Sequence, residues 1–172
     1  MPGSPDAAFL ARNLGIDIIA TPINNGTTGA TVKRILRTTT SSLDAAYIAS
    51  TGKIDSITSA DIVTVASFQS AKRLLKAKVR KGLGMEFLVS PVRTQSADGI
   101  AKWLSDLKDA YRFCRSTNCQ FILSSGAEVP GEMISGRCID ELLEEIDIDP
   151  KTYWRNLENW LGRVASGKVT IA

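Results

Sequence analysis

The densest chemistry in this chain is cationic. The segment Lys72-Arg73-Leu74-Leu75-Lys76-Ala77-Lys78-Val79-Arg80-Lys81 carries six cations in ten residues and no carboxylate. On a helix running to about Lys81, Lys72, Lys76 and Arg80 fall at i, i+4 and i+8. Like charges at that spacing repel by roughly 0.2–0.5 kcal/mol per pair. A phosphate backbone laid opposite reverses the sign, because neutralised phosphates release their counterions. The same run also reads as a solvated helix face that keeps the chain soluble. A second cluster, Lys33, Arg34 and Arg37, falls in a segment that reads as a helix from Thr27 or Thr28 to about Arg37, with Val32, Ile35 and Leu36 inward.

Two further places could hold an anion. Arg93 closes Ser90-Pro91-Val92-Arg93, directly after an apolar run that reads as a strand. Strand ends of parallel folds are where sites gather, and arginine grips phosphate bidentately. Ser124-Ser125-Gly126-Ala127 follows another such strand and offers hydroxyls and exposed backbone N–H groups. Ser and Gly are also ordinary turn residues, chosen for conformation alone.

Other chemistry is excluded by composition. The chain contains no histidine. Ser-His-Asp and Cys-His catalysis therefore lack their base, and zinc sites lack imidazole. A base working near neutral pH would have to be a raised carboxylate or a lowered lysine. The cysteines, Cys114, Cys119 and Cys138, are odd in number and too few for a four-thiolate zinc site. They read as small core or surface residues of a protein in a reducing compartment. Gly26-Thr27-Thr28-Gly29 lacks the lysine of a phosphate-binding loop. The run from Asp140 to Asp149 holds six carboxylates, but Leu142, Leu143 and Ile146 recur at helical spacing, which makes it the outer face of an amphipathic helix. Trp154, Leu157 and Leu161 share a face in the last helix and read as packing rather than base stacking.

The elements that must position these groups alternate. Residues 6–13 read as a short helix, Gly15–Thr21 as a strand closed by Asn24-Asn25-Gly26, and Asp44–Ser50 and Asp61–Ala66 as strands. Ser67 caps the basic helix, whose buried stripe is Ala71, Leu74, Leu75 and Val79, and Gly82 and Gly84 end it. Met85–Val89 is a strand, and Ser96–Arg115 is the longest helix, buried through Ala97, Ile100, Trp103, Leu104, Leu107, Tyr111 and Cys114. Gln120–Leu123 is a strand, and helices over about 137–146 and 150–165 follow, with Pro150 in a first turn. Strand and helix in alternation imply βαβ units around a parallel sheet. At 172 residues the chain is short of the roughly 250 typical of an eight-fold barrel, so an abbreviated barrel and an open sheet both fit. The opening helix leaves the first strand of such a fold missing or supplied otherwise.

Length and a hydrophobic fraction of 44% suit one domain, residues 1–172, with a real core. Residues 1–82 hold 11 basic and 5 acidic side chains, whereas residues 83–172 hold 10 and 13. The net charge of +3 thus averages a basic part, suited to a polyanion, with an acidic one. The N-terminus shows neither a basic-then-apolar signal nor a membrane-length apolar run, so a cytoplasmic protein with no membrane partner is expected.

The strand Asp61-Ile62-Val63-Thr64-Val65-Ala66-Ser67, the basic helix, and Met85-Glu86-Phe87-Leu88-Val89-Ser90 together resemble archaeal ribonuclease P protein component 3. So does the long helix leading into Cys119-Gln120-Phe121-Ile122-Leu123-Ser124-Ser125-Gly126-Ala127, with Arg137 soon after. The resemblance covers roughly residues 58–150 and is most specific in Phe121–Met133. It departs where Gly136-Arg137-Cys138 replaces the family's Arg/Pro pattern and in the N-terminal third, which matches only in outline. It implies an α/β, abbreviated TIM-barrel-like parallel βα fold and a single domain of that type. It also implies a protein subunit that binds and stabilises the catalytic RNA of ribonuclease P for 5′-leader removal from precursor tRNA. Catalysis would reside in the RNA with its Mg²⁺, and the protein would carry no cofactor and no metal site. The implied partners are the ribonuclease P RNA, a ferredoxin-like protein subunit, the other ribonuclease P proteins and, in the complex, precursor tRNA. By position the resemblance carries Ser124, Ser125 and Gly126 as the strand-end motif, Arg137 as its following arginine, and Arg93 as a rim residue. With the basic residues Lys33, Arg34, Arg37, Lys72, Arg73, Lys76, Arg80 and Lys81, these form the expected RNA-binding set. Two competing readings remain: a small barrel enzyme acting on a phosphorylated metabolite through Arg93 and Ser124–Gly126, and an interaction module whose acidic half binds a basic protein.

Overall fold

The computed structural model describes residues 61–127 and 129–167, together with the backbone of three earlier strands, 18–22, 31–38 and 42–51. These strands are β1 (Ile18–Pro22), β2 (Thr31–Thr38) and β3 (Ser42–Thr51). They form an antiparallel meander, with Ile19 opposite Arg37 and Arg34 opposite Tyr47. The remaining elements are β4 (Ile62–Thr64), α1 (Phe68–Lys78), β5 (Gly84–Leu88), α2 (Ala97–Thr117), β6 (Gln120–Ser124), α3 (Gly136–Glu145) and α4 (Pro150–Gly167). All six strands make one sheet in chain order, and β3, β4, β5 and β6 are mutually parallel. The protein is α/β: β4–α1–β5 and β5–α2–β6 are βαβ units of the expected kind, whereas β1–β3, expected to belong to a parallel βα fold, pair antiparallel.

The N-terminal part corrects the sequence reading. A helix is expected up to Arg37, but Thr31–Thr38 is a strand, so Lys33, Arg34 and Arg37 lie on β2. The segment Thr-Val-Lys-Arg-Ile-Leu-Arg-Thr satisfies both periods. Its β-branched residues favour a pleated strand, and a helix of about ten residues would be marginal on its own. Pairing on both sides then decides for the strand. The expected strands at Gly15–Thr21 and Asp44–Ser50 overlap β1 and β3, while the expected helix over 6–13 and the turn at Asn24–Gly26 lie outside the described residues.

The parallel strands bury both faces, as parallel strands do. Val63, Met85, Phe87, Phe121 and Leu123 face the main core, where they meet Phe68 and Leu75 of α1, Leu107, Ala110, Phe113 and Cys114 of α2, and Ile139 and Leu143 of α3. The Phe87 and Phe121 rings stack at 5.2 Å, and Tyr111 meets Phe121 edge-on. The alternate residues Ile62 and Ile122 meet Trp160 on the other face. Gly84 is needed there, because a Cβ would stand 2.9 Å from both Ile122 Cδ1 and Trp160 Cη2.

Helix α4 reaches both faces. Tyr153 lies in the main core, Trp160 in the second, and the helix also contacts β3. Its buried face is therefore Tyr153 and Trp160 with half-buried Leu157 and Leu161, one step round from the expected Trp154 face. Trp154 is 38% exposed, and its Nε1 donates to Asp140 Oδ1 at 2.6 Å. The register is set at the open edge of β6. There the Leu123 N–H donates to the Tyr153 hydroxyl at 2.9 Å, and Gln120 Nε2 donates to the Phe121 carbonyl at 2.8 Å. Edge groups that would otherwise recruit another strand are thus met by the chain's own side chains. Burial pushes the Tyr153 hydroxyl well above the ordinary tyrosine range.

Serines begin the helices: Ser67 Oγ accepts from Ser70 N, Ser96 Oγ from Gly99 N and Ser135 Oγ from Cys138 N. Helix α1 stops at Lys78, short of the expected Lys81, because Val79 turns extended and Gly82, at φ +83°, makes the turn that delivers buried Leu83 into β5. Gly84 is then the first residue of β5 rather than a helix stop. In α2 the buried residues are Leu107, Ala110, Phe113 and Cys114, whereas Ala97 and Ile100 of the expected stripe are exposed. Cys114, Cys119 and Cys138 are free thiols, and burial raises the first two above their ordinary range. Among the described residues, no helix is long and apolar enough to cross a membrane.

Candidate nucleic-acid interface

The sheet has two ends, and the expected site residues divide between them. Strands β4, β5 and β6 all finish at one rim, where α1, α2 and α3 begin. Here sit Arg93, Ser124, Ser125, Gly126 and, in the first turn of α3, Arg137.

The rim is organised around a residue the sequence reading missed. Glu86, in the middle of β5, is only 4% exposed. Thr64 Oγ1 donates to its Oε2 at 2.6 Å, and Ser124 Oγ donates to its Oε1 at 2.8 Å. A buried carboxylate needs such donors, and they come from the strands on either side. A signal for it exists in the sequence: one carboxylate inside the apolar run Met85-Glu86-Phe87-Leu88 of a strand buried on both faces must be met by neighbouring hydroxyls.

The remaining rim groups are also engaged. Ser125 Oγ accepts from Ala127 N at 3.3 Å, and its carbonyl accepts from Ser90 N at 3.0 Å. Gly126 has φ +63°, and a Cβ there would lie 2.5 Å from Ser90 Oγ, so the glycine serves the close approach of two loops. Arg93 Nη2 donates to the Glu132 carbonyl, tying the loop after β5 to the loop after β6. Arg137 Nε lies 3.2 Å from Glu141 Oε1, one helical turn on. The rim hydroxyls of Thr64, Ser124 and Ser125 are thus bonded within the fold, whereas Arg93 and Arg137 are exposed and each makes one such bond.

The opposite end carries the basic segment. Arg73 and Lys76 are exposed on α1, and Arg80 and Lys81 are exposed in the turn after it. The three-residue stripe expected on one helix is corrected. Lys72 is half-buried with its ammonium 5.6 Å from the Phe68 ring centroid, and Arg80 lies beyond the helix end, 3.7 Å from Asp61 Oδ1. Lys33, Arg34 and Arg37, on β2, are separated from the β4–α1 unit by β3. The helical grouping of these three does not form.

What replaces the stripe is a junction of three elements. Gly82 N donates to the Asn118 carbonyl at 3.0 Å, Cys119 Sγ lies 3.5 Å from the Arg80 carbonyl, and Trp160 Nε1 donates to the Gly82 carbonyl at 2.8 Å. The turn after α1, the turn after α2 and the second half of α4 are thereby joined. Their cations, Arg80, Lys81, Arg115 and Arg163, belong to one end of the molecule, and all four are exposed. Helix C-termini meet here too, so cations are favoured by the helix dipoles as well. Such a surface offers charge-assisted hydrogen bonds to a polyanion. Among the described residues, no group of three histidine, cysteine or carboxylate side chains is placed to hold a metal ion.

Compared with protein-family models, with curated proteins and with solved structures, the chain matches none significantly.

Proposed function

We propose that this protein is a non-catalytic, RNA-binding subunit of ribonuclease P, holding the catalytic RNA for 5′-leader removal from precursor tRNA. The observation that carries the RNA-binding part is the exposed basic end of the sheet: Arg73 and Lys76 on α1, with Arg80 and Lys81 in the turn that follows. Phosphate contacts supply most non-specific affinity for nucleic acid, and lysine and arginine on one surface are the footprint they leave. The ribonuclease P part rests on the sequence resemblance over residues 58–150. In this reading β3–β6 are an arc of a TIM-barrel-like fold whose last strand is finished by α4. The partners are the ribonuclease P RNA, a ferredoxin-like protein subunit, other ribonuclease P proteins and precursor tRNA, in the cytoplasm. The Mg²⁺ ions sit on the RNA.

A small enzyme acting on a phosphorylated metabolite is the weaker reading. Its residues, Arg93 and Ser124–Gly126, are engaged by Glu132, Glu86, Ala127 and Ser90 within the fold. The test is reconstitution. Adding this chain, with its ferredoxin-like partner, to the RNA should raise precursor-tRNA cleavage at low Mg²⁺. An RNA whose cleavage is the same with and without the chain would overturn the assignment.

A further inference from the structure

The junction at the basic end continues into a hollow that the charged residues do not explain. Between the end of α2, the start of β6 and α4 lies a cavity of about 230 Å³, whose lining includes Tyr111, Arg115, Gln120 and Asn156. A shallower groove of about 500 Å³ adjoins it, lined by Gln120, Asn156, Asn159 and Arg163. Gln120 and Asn156 border both, so the two adjoin beside β6, an edge that no other described strand pairs. Among the described residues, no carboxylate lines either part.

The lining chemistry is specific in kind. The carboxamides of Asn156 and Asn159 present a donor and an acceptor side by side, which is what the edge of a nucleobase requires, while Gln120 Nε2 is bonded to the Phe121 carbonyl. Tyrosine offers a ring on which a base stacks, and arginine offers a phosphate contact. The Tyr111 hollow is smaller than the roughly 300–1,000 Å³ of pockets that take whole drug-sized ligands, so it suits one base rather than a complete nucleotide. An added peptide strand is disfavoured, because the Leu123 N–H and the Phe121 carbonyl at this edge are already bonded to Tyr153 and Gln120. A duplex keeps its bases stacked inside, whereas single-stranded segments splay them out.

We propose that the Gln120–Asn156–Asn159–Arg163 groove and the adjoining Tyr111 hollow bind a single-stranded RNA segment, taking one unstacked base into the hollow and its phosphate against Arg163 or Arg115. This rests on the RNA-binding reading above and adds to it a second, base-contacting surface next to the phosphate-contacting one. The hydrogen-bonded turns at Arg80–Gly82 and Asn118–Cys119 bring the Arg80–Lys81 part of that surface to the end of α2 that borders the hollow.

The experiment compares a short single-stranded RNA with an RNA duplex of equal length, each labelled with fluorescein, by fluorescence anisotropy on the full chain. Three proteins are used: wild type, N156A/N159A and R73A/K76A. Asn156, Asn159, Arg73 and Lys76 are all exposed, so thermal melting should be unchanged. The groove variant should lose about tenfold or more in affinity for the single strand and keep duplex affinity within about twofold. R73A/K76A should weaken both RNAs. Equal losses for both RNAs in the groove variant, or none, would overturn the groove while leaving the RNA-binding reading in place. If wild type binds neither RNA, both fall together.

Discussion

The two ends of this sheet spend polar side chains in opposite ways. At the rim where the parallel strands finish, Thr64, Glu86, Ser90, Ser124, Ser125, Gly126 and Arg93 bond to or pack against one another and nearby backbone. At the other end Arg73, Lys76 and Lys81 stand exposed, and exposed Arg163, whose Nε donates to the Asn159 carbonyl at 3.3 Å, lines a groove with Gln120, Asn156 and Asn159. Parallel α/β folds usually place their sites at the first end. Here the chemistry-bearing residue types occur at that rim, where the hydroxyls and the carboxylate are bonded to one another while Arg93 and Arg137 stay exposed. What this teaches is that residue type and position in the fold locate candidates, whereas engagement decides among them.

The largest expected difference between the ends is in RNA affinity. R73A/K76A/K81A removes up to three phosphate contacts. The slope of log affinity against log salt should then become shallower by up to about 3, with roughly 10- to 100-fold weaker binding near physiological salt. The stability of the chain should stay within about 0.5 kcal/mol, since all three side chains are exposed. Titrations at several salt concentrations, with a thermal melt of each variant, check both halves. A matching loss of affinity in R93A/R137A would break the comparison.

The next effect belongs to the rim and has the opposite signature. Glu86→Ala removes a buried side chain and the acceptor for both the Thr64 and Ser124 hydroxyls. About 2–4 kcal/mol of stability should be lost, through cavity and unmet hydroxyls together. RNA affinity per folded molecule should be unchanged. Urea denaturation read beside RNA titration separates the two quantities.

Much of this organisation can be read from the residues, for physical reasons that differ by region. The units from β4 to β6 are legible in type and order because their apolar runs and helical spacings separate strand from helix, and Ser67 and Ser96 mark helix starts, though the end of α1 and the outer part of the α2 stripe are not. Strand β2 is not legible: Thr31–Thr38 fits either period, and its neighbours β1 and β3 decide. The rotational phase of α4 is hidden for a similar reason. Tyr153 is buried and Trp154 exposed because a backbone N–H thirty residues away, on Leu123, needs an acceptor. The groove escapes entirely, since Gln120, Asn156 and Arg163 are ordinary polar residues until β6 and α4 bring them together. Single residues of unremarkable type carry no signal of their own. The basic run does, which is why the phosphate surface is visible in the sequence and the base surface is not.

The smallest of the expected effects sharpens the boundary between the two ends, at the β6 edge that separates rim from groove. Tyr153→Phe leaves the buried Leu123 N–H without its acceptor and should cost about 1–3 kcal/mol near neutral pH. Its pH signature is distinctive. Burial, the largest cause, raises the Tyr153 hydroxyl above its unfolded value, with the nearby Glu86 charge adding to the rise and the Leu123 hydrogen bond opposing it. A group raised on folding contributes stability that is fully present below its unfolded pKa, near 10 for tyrosine, and is lost as pH climbs beyond it. Wild type should therefore destabilise steadily above about pH 10, and Tyr153→Phe should flatten that decline while starting from a lower plateau. Melting temperatures across neutral and alkaline pH read both features. Equal alkaline slopes in the two proteins would mean that the hydroxyl is not held protonated by the fold, and that the β6 edge is closed by packing alone.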